Sequence, residues 1–371
     1  MNIPGDLFLV LSGGNALGSY QAGAYEALHE QGVEPTWVAG ASIGAINGAI
    51  IAGNAPEERV PRLRQFWRLA EQFGKSDPSR KMPAHPAALT QKRAAATQAA
   101  MTGRPGLFTP RLPGLLSTFP WVPEDASIFD TAPLLRTLHK LIDFGRLNDG
   151  TIRLTVTATH VETGEDVSFD TAVSPITAEH LKASAAFLVA FPPVEIGNDM
   201  LVDPGLSANL PLRAVLSEPP ETDALCLAVD LFPMSGKRPR SLGDALLRAQ
   251  DVVFAAQSRH AIRELQTEYR LRAAASKAAI GSRASKGPAP SVAKAEAASV
   301  TLLHISYSQD ERETAAKTLD YSAASVNERW TAGYRDMLKA LGHYRSLSRP
   351  QGQQVLDAYR FEGGVTTAYG S

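Results

Sequence analysis

The sequence predicts an α/β protein built as three layers, α/β/α, with a mostly parallel central sheet. The first observation is an apolar run at 7–11 that ends in a glycine-rich loop at 12–18 and leads into a segment with helical spacing. The second is that this order repeats at once, with a strand pattern at 36–39, a tight turn and a helical pattern at 45–52. Such alternation is typical of parallel sheets, whose functional loops lie at the carboxyl ends of the strands.

The later elements follow from the same periodicities. In the first helix, predicted over 18–31, Tyr20, Ala24 and Leu28 recur at helical spacing, and Gly32 ends it. The turn at 162–164 predicts a hairpin between two of the later strands. The remaining predictions are helices at 131–141, 178–187, 244–272 and 322–341, and strands at 152–158, 167–169, 225–231 and 300–307.

Two segments depart from this pattern. Prolines, alanines and basic residues are interleaved over 73–123, which predicts an inserted cap or lid of short helices and loops, or a plain loop insertion. Residues 273–300 are rich in Ala, Ser and Lys and poor in large apolar residues, which predicts a flexible surface loop. This loop has four basic residues and one acidic residue, which is a basic excess of three. Instead of being a plain solvent-exposed loop, it could therefore make transient contact with a membrane surface. We expect a catalytic core at 1–215 and a C-terminal extension at 216–371 that packs on it.

Composition narrows the class of protein. The chain has 371 residues, 44% hydrophobic and 20% charged, as ordinary globular proteins do. Its net charge of −1 gives no basic field that would attract nucleic acid, and no pattern sets an oligomeric state. The start of the chain lacks a signal-peptide pattern and no apolar run reaches the length of a membrane span, so we expect a cytoplasmic protein, with signal-independent secretion left open.

The cysteine, histidine and acidic residues of the sequence show no pattern that predicts a disulfide or a metal site. The single cysteine, Cys226, lies in an apolar run and is expected to be a buried strand thiol. His160, Glu162, Glu165 and Asp166 lie around the predicted hairpin turn and are expected to face solvent rather than a metal ion.

Three loops, each after a predicted strand, carry residues suited to acyl transfer. Gly40-Ala-Ser42-Ile-Gly44 fits the G-x-S-x-G nucleophile elbow, although Ser42 could instead cap a buried, glycine-rich helix start. The loop that begins Gly13-Gly14-Asn15 could point backbone N–H groups at an oxyanion. It could also hold a nucleotide phosphate, but the second strand ends in the elbow rather than in the acidic residue of a dinucleotide fold. The third loop is Asp203-Pro204-Gly205.

In order, spacing and sequence these loops resemble the patatin-like phospholipases. The resemblance covers roughly residues 6–70 and 125–215, and the rest resembles the C-terminal extension of a bacterial subgroup of that family. The matching motifs are Gly13-Gly14-x-x-x-Gly18-x-Tyr20-Gln21-Ala22-Gly23, then Gly40-x-Ser42-x-Gly44-Ala45-Ile46-Asn47, then Asp203-x-Gly205 with Asn209-x-Pro211-Leu212.

The resemblance implies a Ser-Asp dyad without a histidine, metal or cofactor. Ser42 would be the nucleophile, Asp203 the base, and Gly13, Gly14 and Asn15 the oxyanion hole. Gly18, Gly40, Gly44 and Gly205 would support these motifs. The implied activity is hydrolysis of carboxylic esters of the esterase, lipase or phospholipase A type, with a lipid or a small ester as substrate.

The sequence departs from the family pattern at two positions and leaves two alternatives open. Leu17 stands where many members have Arg or Lys, and Pro204 replaces the usual glycine of the base loop. Proline restricts Asp203 to extended backbone angles and removes one N–H, which predicts reduced or altered activity. The alternative to a hydrolase is therefore a non-catalytic protein of the patatin fold that binds lipid or a partner. The mechanistic alternative is a triad of Ser42 and Asp203 with His260 or His304.

Overall fold

A ten-stranded mixed sheet organises the part of the chain that the computed structural model describes, residues 5–71, 85–111, 127–284, 298–308, 313–347 and 355–369. A separate two-stranded ribbon is formed by the third and fourth strands. In chain order the strands are β1 (Asp6–Leu11), β2 (Trp37–Ala41), β3 (Thr109–Pro110), β4 (Phe129–Asp130), β5 (Arg153–His160), β6 (Asp166–Asp170), β7 (Val194–Ile196), β8 (Asp199–Val202), β9 (Ala224–Asp230), β10 (Val300–Ser306), β11 (Leu356–Glu362) and β12 (Val365–Ala368).

Most of the sheet is parallel, as the sequence predicts. The strand order is β12-β11-β10-β9-β1-β2-β5-β8-β7, with β6 also paired to β5. The six strands from β11 to β5 run parallel, and the antiparallel pairs lie at the two ends. In the centre, Leu9 of β1 is level with Val38 on one side and Leu227 on the other. Such a strand is buried on both faces, which explains its nearly continuous apolar sequence.

Helices cover both faces of the sheet, which confirms the three-layer arrangement. Leu7, Leu9 and Leu11 of β1 face one hydrophobic core, whereas Phe8 and Val10 face the other. The helices are, in chain order, α1 (Ser19–Glu30), α2 (Ile43–Ala52), α3 (Pro56–Ala70), α4 (His85–Thr102), α5 (Ala132–Leu141), α6 (Phe144–Leu147), α7 (Ala178–Ser184), α8 (Leu212–Leu216), α9 (Leu242–Ala284) and α10 (Ala323–Ser346).

The C-terminal part of the chain completes the sheet. β9 lies directly beside β1, and β10 and β11 continue the parallel arrangement. Helix α10 packs closely on α1, because a side chain at Gly333 would meet the carbonyl oxygen of Tyr20 at 1.9 Å and one at Gly23 would meet that of Trp330 at 2.0 Å. The predicted boundary at residue 215 therefore falls between strands of one sheet.

The structure corrects the predicted loop at 273–300. Helix α9 continues to Ala284, so residues 273–284 are helical, and residues 285–297 lie outside the described part of the chain. Alanine, lysine and arginine are strong helix formers, and a helix that is already nucleated extends at little cost through such a sequence.

The predicted cap is described only in part. Residues 72–84 and 112–126 lie outside the described residues, and between them α4 is one helix of 18 residues instead of several short ones. Cys226 is fully buried in β9, as predicted, and burial raises the pKa of its thiol. Within the described ranges, no helix has the length and apolarity that crossing a bilayer requires.

Candidate active site

Ser42 lies at the sharp turn between β2 and α2. Its backbone angles, φ 55° and ψ −125°, are strained for a residue with a side chain. A Cβ atom at Gly40 would lie 2.5 Å from the backbone nitrogen of Ala45, and one at Gly44 would lie 2.3 Å from the carbonyl oxygen of Leu11. The turn therefore excludes side chains at both glycines. The Ser42 side chain makes no capping hydrogen bond to α2, so the helix-cap interpretation does not hold.

Hydrogen bonds to Ser184, which lies outside the matching motifs, and between motif residues hold this turn in place. The backbone N–H of Ser42 donates to Oγ of Ser184 at 2.9 Å. Asn47 donates from Nδ2 to the carbonyl oxygen of Gly18 and to Oε1 of Gln21, both at 3.0 Å. These buried amides connect the elbow helix to the glycine loop. A Cβ atom at Gly18 would lie 2.5 Å from the side chain of Ile43, so a larger residue there would displace that side chain.

Asp203 follows β8 and faces Ser42. Burial raises the pKa of its carboxyl from 3.8 to about 6, and hydrogen bonds from the Ser42 side chain and from the Gly205 backbone N–H lower it in part. The Gly205 bond to Oδ1 is 2.8 Å long. Asp203 has φ −58° and ψ 130°, the extended conformation expected before proline. Pro204 begins the short helical turn at 204–206, where a backbone N–H has no partner within the turn, and Gly205 supplies the donor that Asp203 uses.

The structure places neither candidate histidine at this site. His304 is fully buried in β10, with Nε2 3.0 Å from Oδ2 of Asp230 and Nδ1 2.7 Å from the hydroxyl of Tyr369. His260 is exposed on α9. Among the described residues that line the cavity beside Ser42 there is no histidine. Asp203 is the carboxylate that lines this described cavity together with Ser42.

The glycine loop borders the site, but not all of it is available to an oxyanion. Gly14 and Asn15 line the cavity. The backbone N–H of Gly13 instead donates to the carbonyl oxygen of Asn209 at 3.0 Å. Asn15 has φ 53°, a left-handed conformation that asparagine tolerates, and its Oδ1 accepts a hydrogen bond from the Tyr321 hydroxyl.

A cavity of about 280 Å³ opens beside Ser42 and Asp203. Its wall is mainly apolar, and residues from the whole chain contribute to it. Leu107 and Phe108 come from the segment predicted as a cap, and Phe232 and Phe254 come from the C-terminal part. Its other apolar lining residues are Ile43, Ile46, Phe66, Leu134, Ala185, Phe187, Ala190, Phe191 and Leu319.

Helix α9 contacts the base loop through Gln257, a residue that the sequence analysis did not single out. Its Nε2 donates to the carbonyl oxygen of Gly205 at 3.1 Å, and its Oε1 accepts from the backbone N–H of Asn209 at 3.0 Å. Asn209 in turn donates from Nδ2 to the carbonyl oxygen of Gly13 at 3.2 Å. Gln257 thus links the loop of Asp203, through Asn209, to the glycine loop. Asn209 lies in the matching motif, but nothing in the local sequence marks Gln257.

A serine on a nucleophile elbow within a parallel sheet is the arrangement of serine hydrolases. Comparison with known families assigns the chain within that class. The model of the patatin-like phospholipase family matches residues 9–216, and a second model, described as patatin phospholipase, matches residues 252–353. The chain belongs to the patatin-like phospholipase family.

Individual relatives are more distant. Triacylglycerol lipase ptl3 of Schizosaccharomyces pombe is 42% identical over 62 residues, which are 17% of this chain and 13% of that protein. Among solved structures, VipD from Legionella pneumophila aligns with a TM-score of 0.40 at 17% identity, over 92% of this chain and 67% of its own. The type III effector protein ExoU of Pseudomonas aeruginosa aligns with a TM-score of 0.34 at 14% identity, over 93% of this chain and 54% of its own.

Proposed function

We propose that this protein hydrolyses carboxylic esters of lipids or of small lipid-like molecules, through an acyl-enzyme on Ser42 with Asp203 as the base. The observation that carries the proposal is the contact of the strained elbow serine with a buried carboxylate, beside a cavity with an apolar wall. Family membership supports a lipid ester hydrolase in general.

Asp203 is suited to act as base without a histidine. With a pKa of about 6 its carboxyl is mostly ionised at neutral pH and is more basic than an ordinary aspartate. Asp203 accepts the proton of Ser42 Oγ as that oxygen attacks the ester carbonyl. In the tetrahedral intermediate, backbone N–H groups of Gly14 and Asn15 stabilise the oxyanion. Asp203 then gives the proton to the departing alcohol oxygen, and the acyl group remains on Ser42.

The second half of the reaction uses the same groups in reverse. A water molecule loses a proton to Asp203 and attacks the acyl carbonyl, and collapse of the second intermediate returns the proton to Ser42 and releases the carboxylic acid. The apolar wall of the cavity would hold the acyl chain, with Leu107 and Phe108 covering it from the inserted segment. The Gly205 hydrogen bond that Asp203 retains beside Pro204 supports catalysis over a purely binding role.

The test is hydrolysis of p-nitrophenyl esters from short to long acyl chains by the wild type and by Ser42→Ala, Asp203→Ala and His304→Ala. We expect the first two variants to lose activity by a factor of about 10³ or more and the third, wherever it folds, to retain it. A wild type that hydrolyses neither these esters nor phospholipids would contradict the proposal. Loss of activity in a folded His304→Ala protein would contradict a mechanism in which Ser42 and Asp203 act without a histidine.

A further inference from the structure

Two buried residues of the C-terminal part contact the glycine loop beside Ser42. The hydroxyl of Tyr321, a residue that also lines the cavity, donates to Oδ1 of Asn15. At the next position of the loop, Nη1 of Arg329 donates to the carbonyl oxygen of Ala16 at 3.2 Å. Both side chains are fully buried. The conformation of the loop is therefore tied to a part of the chain that lies far from it in sequence.

The backbone of the loop at Asn15 needs such support. Asn15 has φ 53° and is the first residue of the short helical turn at 15–18. A left-handed residue beside a turn can direct successive backbone N–H groups into one concave, anion-binding side. A residue with a side chain adopts this conformation at a cost, so it persists only where the surrounding structure holds it. The hydrogen bonds to the Asn15 side chain and to the Ala16 carbonyl supply that support.

Tyr321 is itself held in place by charged neighbours. Nε and Nη2 of Arg329 donate to the two carboxylate oxygens of Glu313, both at 3.0 Å. Nη1 of the same arginine donates at 2.8 Å to the carbonyl oxygen of Asp320, the residue directly before Tyr321. On the other side, Cζ of Arg104 from the inserted segment lies 5.5 Å from the centroid of the Tyr321 ring. The hydroxyl of this tyrosine is therefore held in a fixed position.

We propose that Tyr321 is a positioning residue for the oxyanion hole and acts through its hydrogen bond to Asn15. The bond keeps Asn15 in the left-handed conformation, so the N–H groups of Gly14 and Asn15 are in place before negative charge develops on the ester oxygen. Donors arranged in advance need no reorganisation during the reaction. This inference rests on the proposed ester hydrolysis and adds to it a residue of the C-terminal part, beyond the range 9–216 that the first family model matches.

Tyr321→Phe removes the hydroxyl and keeps the ring, and hydrolysis of p-nitrophenyl butyrate measures the result. We expect kcat to fall about tenfold or more and KM to change less than about twofold, because the oxyanion forms only on the way through the transition state. A trifluoromethyl ketone forms a tetrahedral oxyanion adduct with an activated serine. Its inhibition constant should rise by the same factor by which kcat/KM falls.

Tyr25→Phe is the matched control for the loss of a buried hydroxyl. Tyr25 is as buried as Tyr321, and its hydroxyl donates to Oε2 of Glu34 at 2.8 Å. It is not among the described residues that line the cavity. We therefore expect kcat, KM and the inhibition constant of Tyr25→Phe to equal those of the wild type.

Asn15→Gly separates positioning from a direct contact of Tyr321 with the substrate. Glycine adopts the left-handed conformation readily but offers no side chain to Tyr321. Asn15→Gly should lower kcat by itself, and adding Tyr321→Phe to it should lower kcat no further.

Three results would overturn the inference and leave the proposed function intact. They are a Tyr321→Phe protein with wild-type kcat, a loss that appears in KM alone, and a Tyr321→Phe effect that persists in full in the Asn15→Gly protein. If the wild type hydrolyses no ester, the proposed function fails and the inference fails with it.

Discussion

Replacing Asp203 by asparagine should make the protein more stable at neutral pH while it removes the base. In the folded protein burial raises the pKa of this carboxyl to about 6, whereas its ordinary value is 3.8. The folded state thus holds the proton more tightly than the unfolded state. The stability that Asp203 contributes is fully present below pH ~4 and is lost as the pH rises to about 6.

The size of this loss follows from the two pKa values. They differ by about 2 pH units, which corresponds to about 3 kcal/mol of unfolding free energy. The asparagine side chain of the Asp203→Asn variant would not titrate but would still accept the Gly205 hydrogen bond. Most of this change falls between pH 4 and pH 7, where the free energy of unfolding of Asp203→Asn, minus that of the wild type, should increase by about 2 kcal/mol.

Urea unfolding at a series of pH values measures this difference. Ser42→Ala is the control, because it keeps the titrating carboxyl and removes a hydrogen bond that lowers its pKa, so its own pH dependence should persist or grow. A difference between Asp203→Asn and the wild type that is the same at every pH would refute the account of a buried, ionised base.

Three further predictions concern the same site. Because Asp203 must be ionised to act as base, kcat/KM for ester hydrolysis should rise about tenfold per pH unit up to pH ~6 and be constant at higher pH. A pH profile of kcat/KM without this acidic limb would argue against Asp203 as the base. Gly44→Ala should lower the free energy of unfolding by roughly several kcal/mol, because its Cβ atom would lie 2.3 Å from the carbonyl oxygen of Leu11. A Gly44→Ala protein that is as stable as the wild type in chemical unfolding would contradict the elbow geometry. Gln257→Met should lower kcat about tenfold or more and shift the acidic limb of the pH profile, because the base loop loses its hydrogen bonds to α9. Gln266→Met, the same substitution at another position of α9, should change neither kcat nor the pH profile. Steady-state kinetics measures both quantities, and equal effects of the two variants would contradict this role of Gln257.

Features set by neighbouring residues could be predicted from the sequence. The elbow depends on Gly40 and Gly44, each two residues from Ser42, where the returning backbone leaves no room for a Cβ atom. The conformation of Asp203 is likewise set by the adjacent Pro204 and Gly205. The order of strands and helices through the first part of the sheet follows from local periodicity in the same way.

Features set by contacts between distant segments could not be predicted. The Gly13 N–H is engaged by Asn209, far along the chain, and no local pattern indicates this. Gln250 and Gln257 belong to a helix that the sequence predicted, but which of its side chains face the cavity depends on how α9 packs. Residues 273–284 were predicted as loop from their lack of apolar residues, whereas their alanine content and continuity with α9 favour the helix.

The central claim is that the elbow activates Ser42, and covalent labelling tests it most directly. A fluorophosphonate probe forms an adduct with an activated serine, and mass spectrometry locates the modified residue. The account predicts one adduct on Ser42 of the wild type, none on that site in Ser42→Ala, and labelling slowed by a factor of about 100 or more in Asp203→Asn. An unlabelled wild type, or an adduct that persists in Ser42→Ala, would contradict it.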